Sequence, residues 1–190
     1  MSEITIKSQS KKELRRQLLK SRQEMPVREW QEKSESICQH IQSSALFAEA
    51  NTILAFFSFR QEPDLSLLFE KSRRWGFPRC LGESLSWHVW QPGDVLERGR
   101  FGIKEPSAQA AGLSLGEVDL ILVPAVACDG RGYRLGYGGG FYDRLFALPQ
   151  WRGVPAVGIV FESAFLPLVP VDEWDCRLNA VCTEVSLRLF

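Results

Sequence analysis

Residues 118–148 read VDLILVPAVACDGRGYRLGYGGGFYDRLFAL, and no other stretch restricts the fold of this chain as tightly. Residues 120–126 form a short, nearly unbroken apolar run rich in Val, Ile and Leu, the composition of a strand buried on both faces of a mainly parallel sheet. Asp129-Gly130 reads as a turn. Residues 131–140 then carry five glycines and two arginines, and helical patterning resumes at Phe141. A strand, a glycine-rich loop and a helix in this order let the backbone approach a ligand closely, and successive N–H groups at a helix start attract anions. Arg131 and Arg134 add charge that can pair with phosphate.

The familiar glycine loops do not match. A P-loop needs Lys-Ser or Lys-Thr after its last glycine, and no lysine follows these glycines. The dinucleotide fingerprint GxGxxG fails too, because Phe141 stands where a third glycine is needed after Gly136 and Gly138. A global field is equally absent: 23 Lys plus Arg balance 23 Asp plus Glu, so any anion site is local. Five cysteines, scattered and without a CxxC pair, read as reduced thiols of a cytoplasmic protein. Only His40 and His88 are present, which excludes a histidine-rich metal site and leaves a hard cation held by carboxylates.

The 190 residues suit one domain. Residues 1–9 are polar and expected to fray. Ser10 and Glu13 fit a capping box that opens a helix crowded with Lys11, Lys12, Arg15, Arg16, Lys20 and Arg22. Pro26 punctuates it, and Trp30, Ile37, Cys38 and Ile41 mark the core face of a second helix. A helical turn over 46–50 precedes a buried strand over 52–58. Ligands of open α/β sheets bind beyond the carboxyl ends of strands, which puts Phe57, Ser58, Phe59, Arg60 and Glu62 at a rim. Asp64 is expected to cap a helix running to about Arg74 and closed by Trp75-Gly76, with a strand over 77–81 after it. Trp87 and Val89 suggest an edge strand, on which His88 reads as a surface residue. Residues 91–117 read as irregular. Residues 155–161 form another buried strand, 167–175 a loop, and 181–184 the closing strand. The order of elements gives an α/β fold, a single domain over 1–190 with a mainly parallel sheet flanked by helices.

Arg134-Leu135-Gly136-Tyr137-Gly138-Gly139-Gly140-Phe141-Tyr142-Asp143-Arg144, preceded by Val123-Pro124 and Asp129, closely resembles the signature of the 5-formyltetrahydrofolate cyclo-ligase family, also called 5,10-methenyltetrahydrofolate synthetase. Phe141 departs from the usual Tyr. The likeness extends to Lys11, Leu14 and Arg15, which match the family's KxxLR helix, to the Pro78-Arg79 step, and to residues 101–106, which match its FGIxEP segment. The resemblance implies a NagB/RpiA/CoA-transferase-like fold acting as a monomer on small molecules.

It also implies Mg-ATP-dependent cyclisation of 5-formyltetrahydrofolate, with ATP as co-substrate and Mg2+ as cofactor. ATP would be held by Lys11, Lys12, Glu13, Leu14, Arg15, Arg134, Leu135, Gly136, Tyr137, Gly138, Gly139, Gly140, Phe141 and Tyr142. The folate would meet Phe57, Glu62, Arg15, Tyr137 and Gly138, and Mg2+ would meet Asp143 and Asp175, with Asp172 the nearest rival of the latter. Lys11, Arg15 and Arg134 carry the implied catalytic charge. The alternatives are a sugar-phosphate isomerase or acyl-CoA transferase of the same fold group, and a nucleotide-binding module without turnover.

Overall fold

The computed structural model describes residues 10–151 and 153–190, so the expectation for residues 1–9 lies outside the described residues. Helix α1 (Lys11–Gln23) starts at the expected capping box, with the Ser10 hydroxyl accepting from the Glu13 amide at 3.3 Å and the Glu13 carboxylate accepting from the Ser10 amide at 3.3 Å. Pro26 opens α2 (Val27–Gln42), where its fixed φ is pre-set for a helix start and its missing N–H costs nothing. Helix α3 (Ala45–Glu49) leads into the sheet.

The strands are β1 (Thr52–Leu54), β2 (Arg74–Leu81), β3 (Ser84–Val89), β4 (Leu96–Arg98), β5 (Lys104–Pro106), β6 (Leu120–Pro124), β7 (Ala127–Asp129), β8 (Arg134–Leu135), β9 (Ala156–Ile159), β10 (Phe165–Leu166), β11 (Ala180–Cys182) and β12 (Leu187–Leu189), with α4 (Phe141–Ala147) between β8 and β9. Seven of them form the main sheet in the order β12-β11-β9-β6-β1-β2-β3. Its inner pairs are parallel, and only β2–β3 and β11–β12 at the two edges are antiparallel. Strands β10, β7 and β8 form a small second sheet, and β4–β5 a hairpin.

Alternate residues of β6 explain why its sequence is apolar throughout. Leu120 and Leu122 face one core with Ile37, Ile41 and Phe47, while Ile121 and Val123 face another with Leu145, Phe146 and Trp151. Gly158 of β9 lets the second sheet close on the first, since a Cβ there would lie 2.7 Å from Leu178 Cδ1 and 2.9 Å from Cys128 Sγ. Gly158→Ala should therefore lower stability by about 1–3 kcal/mol through overpacking. A urea midpoint that falls at constant m would record it.

Four expectations need correction. The segment from Asp64 forms no long helix but one 3-10 turn, Ser66–Leu68, after which Arg74, Trp75 and Gly76 already belong to β2. Asp64 turns back on Ser66, accepting from its amide at 3.0 Å, and burial of Leu65 and Leu68 is satisfied by that single turn. Residues 91–117 contain the β4–β5 hairpin, and the chain closes with β12, not with a strand over 181–184. Ladder pairing of β1 stops at Leu54, although Ala55 still donates to Gly76 O at 2.8 Å. All five cysteines are free. Among the described residues no helix is long and apolar enough to cross a membrane.

Candidate active site

In the main sheet the strand order reverses between β1 and β6, and a cavity of about 520 Å³ lies beyond their carboxyl ends. Phe56 and Phe57 follow β1 into it, and Pro124 ends β6 at its wall. The glycine loop between β8 and α4 forms one side. Gly138 (φ 100°) and Gly140 (φ 68°) adopt the left-handed conformation that L side chains resist, and a Cβ on Gly140 would lie 2.6 Å from Arg144 Nη1. The loop is tethered from both sides: Arg15 Nε donates to Gly136 O at 2.7 Å, and Arg144 Nη2 donates to Gly139 O at 2.7 Å.

Charged side chains gather beside the glycine loop and α1. Arg134 is almost wholly buried, with Nη2 2.5 Å from Asp143 Oδ1, while its Nη1 has no hydrogen-bond partner among the described residues. The guanidinium lies over the rings of Tyr142 and Phe146, at 5.8 and 5.5 Å. Lys11 Nζ is 2.6 Å from Asp172 Oδ2 and 2.5 Å from Asp175 Oδ2, joining α1 to a loop distant in sequence. Burial works against the Lys11 charge, but the hydrogen bonds to Asp172 and Asp175 outweigh it and raise its pKa. Asp175 Oδ2 also accepts from the Asp172 amide at 2.7 Å.

A second group of lining residues, Phe56, Phe57, Phe59 and Glu62, brings aromatic rings and one carboxylate. The Phe57 ring stacks on Phe77 at 4.1 Å and meets Trp90 edge-on at 5.1 Å. Glu62 is 4% exposed. Its carboxylate accepts from the Phe59 amide at 3.0 Å, and burial raises its pKa against the opposing pull of Tyr137, Arg22 and Phe59. Arg60 (φ 49°) and Gln61 (φ 54°) hold this turn in a strained conformation. Phe101, Ile103 and Lys104 reach the cavity from the β4–β5 hairpin.

Of the residues expected from sequence, Lys11, Arg15, Phe57, Glu62, Arg134, Leu135, Gly136, Tyr137, Gly138, Gly139, Gly140, Phe141, Tyr142, Asp143 and Asp175 all line this one cavity, as does Asp172. Lys12, Glu13 and Leu14 do not. Lys12 and Glu13 are exposed, Glu13 is spent on the capping box, and Leu14 packs with Leu18 and Leu19 against Val126, Leu135 and Val169. Arg131 also stays out, paired with the fully buried Asp129 at 2.7 Å. His88 is held between Ser86 Oγ and Ala110 O, away from the cavity. Sequence reasoning missed Arg22, which donates to the Tyr137 hydroxyl. Helical spacing carried the signal: Lys11, Arg15 and Arg22 are four and seven residues apart and share the inward face of α1.

A model of the 5-formyltetrahydrofolate cyclo-ligase family matches residues 7–184. The chain is 35% identical over 143 residues to a 5-formyltetrahydrofolate cyclo-ligase of Escherichia coli K12, covering 70% of this chain and 78% of that one. It is 30% identical over 194 residues to one from Mycolicibacterium smegmatis, covering 94% and 98%. The NMR structure of Aquifex aeolicus 5,10-methenyltetrahydrofolate synthetase superposes with a TM-score of 0.83 at 31% identity, over 94% of this chain and 92% of that one. The 5,10-methenyltetrahydrofolate synthetase of Mycoplasma pneumoniae, at 21% identity and a TM-score of 0.75, supports the fold alone. With a family match over nearly its whole length and a cavity that gathers the signature loop, this chain belongs to the 5-formyltetrahydrofolate cyclo-ligase family, whose activity is the ATP-dependent cyclisation of 5-formyltetrahydrofolate to 5,10-methenyltetrahydrofolate.

Proposed function

We propose that the two groups of lining residues divide the reaction, the triphosphate lying on the glycine loop and the pterin lying between Phe57 and Glu62. One observation carries this reading: Lys11, Arg15 and Arg134 line the same cavity as the buried carboxylate of Glu62 and the ring of Phe57. The formyl oxygen is a poor leaving group until it is phosphorylated. The γ-phosphoryl group passes from ATP to that oxygen, releasing ADP. N10 then attacks the activated carbon, the C–O bond breaks, and phosphate departs as the N10 proton is lost. Phosphoryl transfer asks for positioning and charge neutralisation rather than a nucleophilic side chain. Loop amides, Lys11, Arg15 and the free Nη1 of Arg134 can provide both, so no covalent enzyme intermediate is needed. Glu62 would accept hydrogen bonds from the N–H edge of the pterin.

The residues present also suit Mg2+. Asp143 and Asp175 line the cavity with Arg134 and Lys11 balancing their charge, and among the described residues no three His, Cys, Asp or Glu converge to hold a metal unaided. That matches an ion drawing one or two carboxylates from protein and the rest of its shell from phosphate and water. Bound there by Asp143 and Asp175, it would neutralise phosphate charge.

Phosphate release from ATP that depends on added 5-formyltetrahydrofolate is the test. Release without the folate, or folate turnover without ATP, would refute the division. Lys11→Ala should raise the ATP KM roughly ten-fold while the folate KM stays near its wild-type value. A single charge-assisted contact is worth about 1.5–3 kcal/mol. The difference from wild type should be largest at low salt and shrink as screening rises.

A further inference from the structure

Arg22 lies in the last turn of α1, is 9% exposed, and lines no part of the cavity. Its guanidinium nevertheless touches three segments that build the cavity. Nη2 donates to the Tyr137 hydroxyl of the glycine loop. Nε donates to Arg60 O at 3.1 Å, within the turn that presents Glu62, and Nη1 lies 3.5 Å from Ala125 O just after β6. Tyr137 in turn helps to hold the pKa of the Glu62 carboxylate down against burial.

We propose that Arg22 is a positioning residue for the folate half of the site: it ties the Tyr137 hydroxyl to the Glu62 turn, so that the glycine loop and the pterin carboxylate are held as one unit. The inference rests on the reading of Glu62 as the carboxylate that meets the pterin.

Two features of the turn need such a tie. Arg60 and Gln61 are consecutive non-glycine residues at φ 49° and 54°, a strained pair that persists only where neighbours hold it. The neighbours come from the end of α1, Arg22 on Arg60 O and Met25 O accepting from Gln61 Nε2 at 3.3 Å. Tyr137, for its part, sits next to Gly138 at φ 100°, and its hydroxyl accepts from Arg22 while influencing the Glu62 carboxylate. The planar fork of arginine holds a hydroxyl and a carbonyl in fixed directions, a geometry that the rotatable donors of an ammonium do not impose. The charged and titratable groups facing Glu62 are Arg22 of α1, Tyr137 of the loop and Tyr142 of α4. Burial favours protonated Glu62, and Arg22 is the one cation among them that opposes it.

The test is steady-state kinetics on the full chain with Arg22→Met, Arg22→Lys, Tyr137→Phe, the Arg22→Met/Tyr137→Phe double variant and Glu62→Gln. Arg22→Met should raise the 5-formyltetrahydrofolate KM about ten-fold, and the double variant should go little further than either single one, because both remove the same link. Without the cation, the pKa of Glu62 rises further. The acid limb of kcat/KM for the folate should therefore move to higher pH in Arg22→Met, and return in Arg22→Lys while KM recovers only in part. A purely structural role would lower the unfolding midpoint and leave that limb in place. Additive effects on KM, or an unmoved acid limb in a folded Arg22→Met protein, would overturn the proposal. Should Arg22→Met fail to fold, a wild-type folate KM in Tyr137→Phe overturns it just as well. A normal folate KM in Glu62→Gln would instead overturn the reading of the pocket, whereas a raised KM there with normal Arg22→Met and Tyr137→Phe would overturn only the role of Arg22.

Discussion

Arg134→Met should cut kcat by about 10²–10³-fold, the usual effect of removing one preorganised donor from a developing anion, while the protein stays folded. The side chain is 3% exposed and its Nη1 has no partner among the described residues. A buried guanidinium nitrogen left unsatisfied costs stability, and its place on the cavity wall means that a bound anion can offset that cost. Methionine keeps most of the volume between Tyr142 and Phe146 and makes its own contacts with aromatic rings. Asp143, left without its cation, is 29% exposed and can be hydrated. Lys11 and Arg15 still line the cavity, so the ATP KM should change less than kcat. Arg134→Lys should recover only a small part of the rate, because an ammonium lacks the planar fork that directs one nitrogen at Asp143 and leaves the other for the substrate. Rates are followed by the near-UV absorbance of the methenyl product. An unchanged kcat in Arg134→Met would reduce Arg134 to a structural counter-ion of Asp143.

What could be read from sequence follows the range of the interactions. The capping box at Ser10 and Glu13 is local, and it was legible. So was β6, because burial on both faces leaves no polar position in Leu120–Val123 to mislead. The stretch after Asp64 was misread because Leu65, Leu68 and Phe69 satisfy a helical pattern and a single 3-10 turn equally well. Tertiary pairing of Arg74 with Thr52 decides between them. Strand β12 is a short edge with Leu189 69% exposed, so it carries no buried alternation to detect. In the site, Arg134 and Asp143 belong to one motif and were found together. Family likeness put Lys11 and Asp175 in one site, but the bridge from Lys11 to Asp172 and Asp175 spans more than 160 positions and was not foreseen. Arg22 was hidden for a different reason. A basic helix reads as a solvated face, and the spacing that sets Lys11, Arg15 and Arg22 apart from the exposed Lys12, Arg16 and Lys20 gains meaning only once their burial is seen.

Asp143→Asn should both destabilise the protein and raise the Mg2+ concentration needed for turnover. The stability effect comes from Arg134: asparagine still offers an oxygen to Nη2, but the buried guanidinium loses its counter-charge, at a cost of about 1–3 kcal/mol. The metal effect is separable. If the Asp143 carboxylate also binds Mg2+, product formation should be depressed most at low Mg2+ and partly restored by excess, at a temperature well below the lowered Tm. A wild-type Mg2+ response in a destabilised Asp143→Asn protein would leave Asp143 as a partner of Arg134 only. Asp175→Asn extends the test to the other side of the cavity. The Asp175 side chain is 8% exposed and its Oδ2 already holds Lys11 and the Asp172 amide, whereas that of Asp172 is 43% exposed and meets Lys11 alone. Asp175 is therefore the more fixed of the two carboxylates and the better preorganised for an ion. Its replacement should raise the Mg2+ requirement, and Asp172→Asn should leave that requirement near wild type. If Asp172→Asn carries the Mg2+ signature instead, the metal carboxylate lies three residues earlier, and Asp175 serves to shape the loop and to hold Lys11.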